Sequence, residues 1–581
     1  MASNRTRPVT TFQGRCLING SASAELLYSS TSLSFWGGVN PETGDVVDHH
    51  HPLRGECIAG RILVIPCGRG SCTGSTVMLE LLLNQCSPAG LIFEQAEEIL
   101  TLGVLVGKAL FERSIPVVVL SSAGFHALRD WQFAAIDTGR VQLSDVPLST
   151  PALQLYSIGN QVDLSESAKN VLAGKGGAAA KKALSIILQF AVIQGATRLI
   201  DVSRAHIDAC IYTGPASLTF AQTFQNLGAQ FVVPTTLNSI SIDQRRWKEL
   251  GIDPELACQA GTLANVYLSM GAQPSFTCAP YTLDNAPKEG ENIGWAESNA
   301  VVFANSVLGA HTQKYPDFID VCIALTGRAP SAGCHTTEGR RPSILVQVHT
   351  DIGAIDDSFY PVLGYLIGKI AQHRIPLVCG VEHLSPHRID LKAFSAAFAT
   401  TSSAAIFHMK GVTPESGQFA SLESDLPQFE ITASEIQECR RALNSATDPS
   451  VGLVSLGNPH FAIEEFERVS HLCKSRKKLP SIEFIITTSR STYEQASAAG
   501  IITILKEFGA TIITDTCWCM LGEPVVPKSA RNIITNSGKY AHYAPGMVNR
   551  GVHFGSLAQC VDAACTGQFI DPLDSSQSGL R

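Results

Sequence analysis

The chain has 581 residues, 45% of them hydrophobic and 16% charged, with 51 acidic against 43 basic side chains. That length calls for roughly two to four domains, and the net charge of −8 argues against nucleic acid or an anionic membrane as the main partner. No apolar run reaches the roughly 18 residues of a membrane span, and the 17 cysteines, odd in number and scattered, are not a disulfide framework. A reduced, cytoplasmic protein with thiols available to a metal is expected. No secretory signal core fits ahead of the strand-like segment near Gly14.

Residues 14–20 and 24–28 read as short strands, and residues 32–38 and 43–51 continue a turn-rich β pattern. His49, His50 and His51 are adjacent, but side chains alternate along an extended segment, so the three cannot all face one metal. The first sharp motif follows. Residues 61–66 (RILVIP) form an apolar strand running into CGRGSCTGSTVMLELLLN. Gly68, Gly70 and Gly74 free the backbone, and residues 77–83 read as a buried helix. A strand, a Gly/Ser loop and a helix start make an anion site of free N–H groups. No Gly-Lys-Ser/Thr follows, so this is not a P-loop. Ser71 is either a helix cap or a hydroxyl whose alkoxide those dipoles favour, with Arg69 nearby. Residues 88–92, 103–111 and 116–120 complete alternating units, and residues 143–151 read as a linker.

The longer remainder repeats one pattern. Strands are expected at 198–202, 231–233, 320–325, 451–456, 482–487, 510–513 and 533–537, each leading into a loop with Cys, His, Asn, Ser, Arg or Lys. These loops are SRAHIDACIYTG, PTTLNS, TGRAPSAGCH, GNPH, TSR, TDTCWC and TNSGKYAHY. Ligands in α/β sheets bind beyond the carboxyl ends of strands, so loops converging on one face point to a composite site. Thr514-Asp515-Thr516 and Cys517-Trp518-Cys519 put two thiols and a carboxylate at one strand end. No CxxC pair occurs, so cluster ligands have to come from distant loops. The tail after Phe569 is polar and expected to be loose.

With those motifs in order, the chain resembles the aconitase X family, a branch of the aconitase superfamily. GRGSCTGS resembles the swivel-domain signature. SRAHIDACIYTG, PTTLNS, TCAPY, WAESNAVVFANSVLGA, LTGRAP, GNPH, TDTCWC and TNSGKYAHY resemble the catalytic-domain signatures. The resemblance implies a multi-domain aconitase-like α/β fold: a swivelling β/α domain over residues 1–150, and a catalytic region with several parallel-sheet units over residues 151–575. A swivel segment fused ahead of the catalytic one is similar to the single-chain cis-3-hydroxy-L-proline dehydratases. The two-subunit phosphomevalonate dehydratases are the alternative. A metal-binding protein that has kept the fold without turnover is the non-enzyme alternative.

The resemblance also assigns residues. Ser71 matches the proton acceptor, and Lys539, with Ser537, is expected at the substrate carboxylate. Ala209, Cys210, Asn238 and Ser239 match substrate contacts. Cys278 and Cys517 match ligands of an iron–sulfur cluster, with a two-iron cluster expected. The two-subunit branch has a cysteine where this chain has Asn458. Cys519 is the replacement favoured here, two residues along from Cys517 and so on the same face of a strand. Cys210 is next, with Cys334 and Cys379 behind it. Cys322, Cys86, Cys439, Cys473, Cys560 and Cys565 are expected in packing. A monomer acting on a small molecule is expected.

Overall fold

The computed structural model describes residues 7–152, 162–349 and 355–570, and the tail expected to be loose falls, from residue 571 on, outside them. The chain forms two compact units that interleave along the sequence. The first holds Met1–Ala209, Thr213–Pro234 and Tyr315–Thr336, and the second holds Cys210–Tyr212, Thr235–Lys314 and Thr337–Arg581.

The first unit is built on an eight-stranded sheet. Its order is Thr10–Gln13, Arg140–Ser144, Phe133–Asp137, Ser21–Tyr28, Ile62–Ile65, Gly90–Phe93, Val117–Val119 and Arg15–Ile18. Ser21–Tyr28 through Val117–Val119 pair in parallel, and the other neighbours pair antiparallel. Ile62–Ile65 and Gly90–Phe93 are buried along their whole length, as expected for parallel strands covered on both faces. Helices Gly74–Leu83 and Ile99–Phe111 pack against each other. The first and last strands of the sheet are consecutive in sequence, with Gly14 alone between them. The sheet therefore curls until its edges approach, and the Gly14 N–H donates to the Gly139 carbonyl at 2.7 Å.

Four expectations fail in this unit or at its border. Residues 32–38 and 43–51 form only single bridges, Leu33 to Gly68, Val39 to Val46 and Asp45 to Cys57, because Gly37, Gly38, Pro41 and Gly44 interrupt any ladder. Residues 320–325 are not a strand: helix Ile319–Thr326 forms there and packs on helix Gly177–Gln194. A short apolar run is compatible with either element by periodicity alone. Residues 231–233 are not a strand either, Val232 being 64% exposed, and the strand forms at Thr235–Leu237. Leu199–Asp201 does form, but in a two-stranded antiparallel ribbon with Arg328–Pro330, so the TGRAP loop begins a ribbon strand rather than a strand-end site.

The second unit contains two all-parallel sheets. The four-stranded one runs His408–Met409, Pro376–Cys379, Ile344–Val348, Gln428–Ile431. The five-stranded one runs Thr511–Thr514, Glu483–Thr488, Leu453–Phe461, Asn532–Thr535, Gly551–Phe554. Numbered along the chain, its strands lie in the order 3-2-1-4-5. The chain starts in the middle, winds outward, then returns to the other side. The winding reverses between Leu453–Phe461 and Asn532–Thr535, where open α/β sheets bind ligands beyond the strand ends. A core of Val454, Leu456, Phe466, Phe484, Ile486 and Leu505 holds this sheet to its helices. Gly457 has φ +94, and a Cβ there would lie 2.1 Å from the Thr487 carbonyl oxygen, so only glycine lets the first strand reach the loop that follows.

Candidate functional site

In the second unit, three sulfurs meet at the carboxyl end of the five-stranded sheet. Hydrogen bonds from the Cys278 and Cys519 thiols, opposed by burial, hold Cys517 well below the usual thiol range. Burial and the bond to Cys517 push Cys278 up, and the bond to Cys517 followed by burial pushes Cys519 up. Of the three, Cys517 is the sulfur whose deprotonation the surroundings favour. Ser239 also donates to Cys517, Asn458 Nδ2 donates to Cys519 Sγ at 3.1 Å, and the His460 N–H donates to Cys278 Sγ at 3.3 Å.

The sequence places Cys519 beside Cys517 for a reason other than the expected one. The strand ends at Thr514, and Trp518–Met520 is a single 3-10 turn, so the two thiols are not alternate positions on a strand face. The turn is anchored by Trp518, fully buried, whose indole N–H donates to the Leu456 carbonyl at 2.7 Å. His460 bridges two loops, with Nε2 to the Thr516 carbonyl at 2.8 Å and Nδ1 to the Thr277 hydroxyl at 3.3 Å. Burial lowers its pKa, and a carbonyl can only accept, so the ring is neutral with its proton on Nε2.

Asp515 is not a free carboxylate beside the thiols. Arg490 grips both its oxygens at 2.6 Å, and its own carbonyl accepts the Ile240 N–H at 2.7 Å. Arg245 reaches the Thr514 hydroxyl at 2.9 Å. These contacts clamp the segment carrying Asn238 and Ser239 to the segment carrying Cys517. Cys210 Sγ donates to the Asn238 carbonyl at 3.5 Å. Cys379 lies in a sheet strand, packed with Leu345 and Leu377, and Cys334 belongs to the first unit.

Lys539 lies in the first turn of helix Gly538–Val548, which Ser537 caps by accepting the Tyr540 N–H at 3.1 Å. Burial opposes the lysine's charge, but Glu297, 2.9 Å from Nζ, and the three sulfurs outweigh it and raise its pKa. Glu297 is a site residue that no motif singles out. Its signal was the position directly before the helical run Ser298–Ser306. A cavity of about 20 Å³ is lined by Asn458, Ser537 and Lys392. A larger one of about 250 Å³, lined by Tyr281, Phe303, Arg388 and Lys392 among others, touches none of the sulfurs.

In the first unit, Ser71 precedes helix Gly74–Leu83. Its hydroxyl donates to the Thr73 hydroxyl at 3.1 Å and accepts the Thr73 N–H at 3.3 Å. Thr73, not Ser71, is the N-cap residue. Gly70, with φ +84, makes the turn into the loop. The helix start is tied down from below. Thr76 donates to Asp317 Oδ2 at 2.9 Å, and burial, then Asp208 and Asp320, drive the Asp317 pKa far up. The Ala209 N–H donates to Asp320 at 3.2 Å. The Arg69 guanidinium is taken by Asp48 at 2.6 Å and by the Ser32 carbonyl, and the His51 ring by the Thr31 carbonyl and the Leu53 N–H.

Family models for the aconitase X swivel, first, second and third domains match residues 11–144, 161–338, 342–441 and 451–566. The chain belongs to the aconitase X family. Curated relatives include a cis-3-hydroxy-L-proline dehydratase of Hypocrea jecorina, 51% identical over 96% of each chain. Another, from Pseudomonas aeruginosa, is 50% identical over 95% of this chain and 96% of its own. The crystal structure of Thermococcus kodakaraensis aconitase X in its holo form superposes with a TM-score of 0.62 at 29% identity, covering 69% of this chain and all of that one. The single-chain, mixed α/β organisation expected from the sequence is thus that of an aconitase X protein.

Aconitase relatives imply an iron–sulfur cluster, and the donor chemistry here fits one: three buried sulfurs, the Cys517 thiol held well below its usual range, with an amide, a hydroxyl and a backbone N–H aimed at them. Among the described residues no group of three or more His, Cys, Asp or Glu side chains stands in ready metal-holding geometry. The sulfurs are instead hydrogen-bonded to one another, so a metal would take the place of their S–H protons.

Proposed function

We propose that this aconitase X chain is a hydro-lyase that converts cis-3-hydroxy-L-proline to Δ1-pyrroline-2-carboxylate by loss of one water. The observation carrying this is the 50–51% identity to two proteins of that name, over nearly the full length of each. The swivel segment is residues 1–150 and the catalytic segment 151–575.

In this reading Ser71 takes the proton from the carbon next to the carboxylate. A serine is a weak base, so the Thr73 N–H and the following helix start have the task of favouring its alkoxide. Lys539, kept protonated, offers its ammonium to the substrate carboxylate, and Ser537 at the same helix start adds a hydroxyl. Ala209, Cys210, Asn238 and Ser239 complete the substrate contacts. Cys278, Cys517 and Cys519 would hold an iron–sulfur cluster, with two irons expected. Such a cluster supplies a Lewis acid for the departing hydroxyl. Loss of the proton and the hydroxyl leaves an enamine, which tautomerises to the product.

The test is anaerobic purification followed by assay for a pyrroline carboxylate. The expected result is turnover of cis-3-hydroxy-L-proline and none of trans-4-hydroxy-L-proline, whose hydroxyl is not on the carbon adjacent to the acidified one. Equal turnover of both would defeat the elimination, and turnover of 5-phosphomevalonate alone would give this chain the other branch's substrate. Absence of any turnover in a fully loaded protein would favour the non-enzyme reading.

A further inference from the structure

Glu297 sits in the WAESNAVV motif, which the proposed chemistry does not use. It is the N-cap of helix Ser298–Ser306, its side chain accepting the Ala300 N–H at 2.8 Å through Oε2. That same oxygen accepts from Asn299 Nδ2. The other oxygen, Oε1, faces Lys539 Nζ at 2.9 Å. Both side chains are buried, 5% and 10% exposed.

Capping alone does not account for a glutamate here. Helix N-caps favour Ser, Thr, Asp and Asn, whose short side chains reach the N2 and N3 amides. A glutamate has to fold back to do the same work. Its extra methylene is what lets the second oxygen span to Lys539. The lysine, for its part, stands where a cation is disfavoured twice: it is buried, and it lies in the first turn of a helix, at the positive end of the dipole. It needs a fixed acceptor to stay there, and Glu297 is the carboxylate that touches it.

The network continues past the pair. Asn299 Nδ2 also donates to the Cys278 carbonyl at 3.0 Å, and Asn299 Oδ1 accepts from the Tyr281 hydroxyl at 2.9 Å. One carboxylate and one amide thus connect the helix that carries Lys539 to the backbone of the loop that carries Cys278.

We infer that Glu297 is a positioning residue for the reaction, holding the Lys539 ammonium at the spot where it meets the substrate carboxylate, with Asn299 extending that hold to the Cys278 loop. This rests on the role proposed for Lys539 above. Glu297→Asp separates the two duties: aspartate is a good N-cap but falls one methylene short of Lys539. Glu297→Gln adds a second arm, since its oxygen can keep the cap while its NH2 meets the ammonium donor to donor.

The experiment compares wild type, Glu297→Asp, Glu297→Gln and Lys539→Met, purified without and with the cluster. Melting temperature is measured on each, with calorimetric titration of the cluster-free proteins by pyrrole-2-carboxylate, a planar mimic of the product. The crystal structure of Glu297→Asp is determined alongside. The expected result is a melting temperature near wild type for Glu297→Asp, binding at least tenfold weaker, and Lys539 Nζ displaced by about 1 Å or more, with kcat/KM down on the order of 10²-fold in the loaded enzyme. Combining Glu297→Gln with Lys539→Met should weaken binding no further than Lys539→Met alone. Wild-type affinity in Glu297→Asp with Nζ in place would overturn the inference and leave Glu297 a cap. If wild type neither binds the mimic nor turns over the hydroxyproline, it is the substrate reading that fails, and the position of Nζ in the variant still decides this inference.

Discussion

Asp515 and Arg490 form a two-pronged ion pair, both contacts 2.6 Å, with the carboxylate fully buried and the arginine side chain 27% exposed. The Arg490 guanidinium also lies 5.0 Å from the centre of the Phe276 ring, two residues before Cys278. This pair fixes the turn between the end of strand Thr511–Thr514 and the Cys517 segment. Removing one partner leaves the other's charge uncompensated. Asp515→Asn is therefore expected to cost about 3 kcal/mol of stability. Chemical denaturation measures it, and a loss under about 1 kcal/mol would show the pair to be a bystander.

The thiols divide sharply by environment. Cys517→Ala and Cys278→Ala should each abolish colour and iron in anaerobically purified protein, and Cys519→Ala should do the same. Cys210→Ala should keep both, because its sulfur faces the Asn238 carbonyl. Iron and sulfide assay with the visible spectrum checks this set. A colourless Cys210→Ala beside a brown Cys519→Ala would exchange their roles.

Ser71→Ala should lower turnover on the order of 10²–10⁴-fold, the span of general base catalysis. Its melting temperature should move little, since the Ser71 hydroxyl only exchanges hydrogen bonds with the Thr73 side chain and amide. Exchange of the substrate α-proton with deuterated solvent, followed by NMR, should vanish in the variant. Persistent exchange would point to another base, with Ser75 the next to test.

Glu97 supplies a pH signature of stability. It is buried, and that burial pushes its carboxyl up to about 7 against the pull of the Leu100, Thr101 and Ile99 N–H groups. A folded pKa raised from 4.5 to about 7 gives stability that is complete below pH 4.5 and is lost as pH rises through about 7. Between those limits the wild type should lose on the order of 3 kcal/mol more than Glu97→Gln, which keeps an oxygen for the same N–H groups. Denaturation curves across that range test it, and parallel pH profiles would show that Glu97 does not titrate there.

Strand ends carried most of what the sequence revealed. The apolar runs before GNPH, TSR, TDTCWC and TNSGKY are parallel strands of one sheet, because a strand buried on both faces must be continuously apolar. Residues 320–325 look the same on paper and fold as a helix, since a short run carries no period. The Cys517–Cys519 turn was hidden because it is held by a distant contact, the Trp518 indole on the Leu456 carbonyl. Glu297 was hidden for a related reason: nothing local marks a carboxylate whose partner lies 242 positions away.

The five-stranded sheet has one further practical meaning. All its strands point the same way, so the sulfurs and Lys539 gather beyond one rim, and the turns that feed the strands emerge at the opposite rim. One of these, residues 474–480, is largely exposed, and the strand Glu483–Thr488 begins just after it. An affinity tag, a fluorophore or a tether to a solid support spliced in there would sit on the far side of the sheet from the thiols. A support attached there would leave the thiol-bearing rim of this sheet pointing away from it.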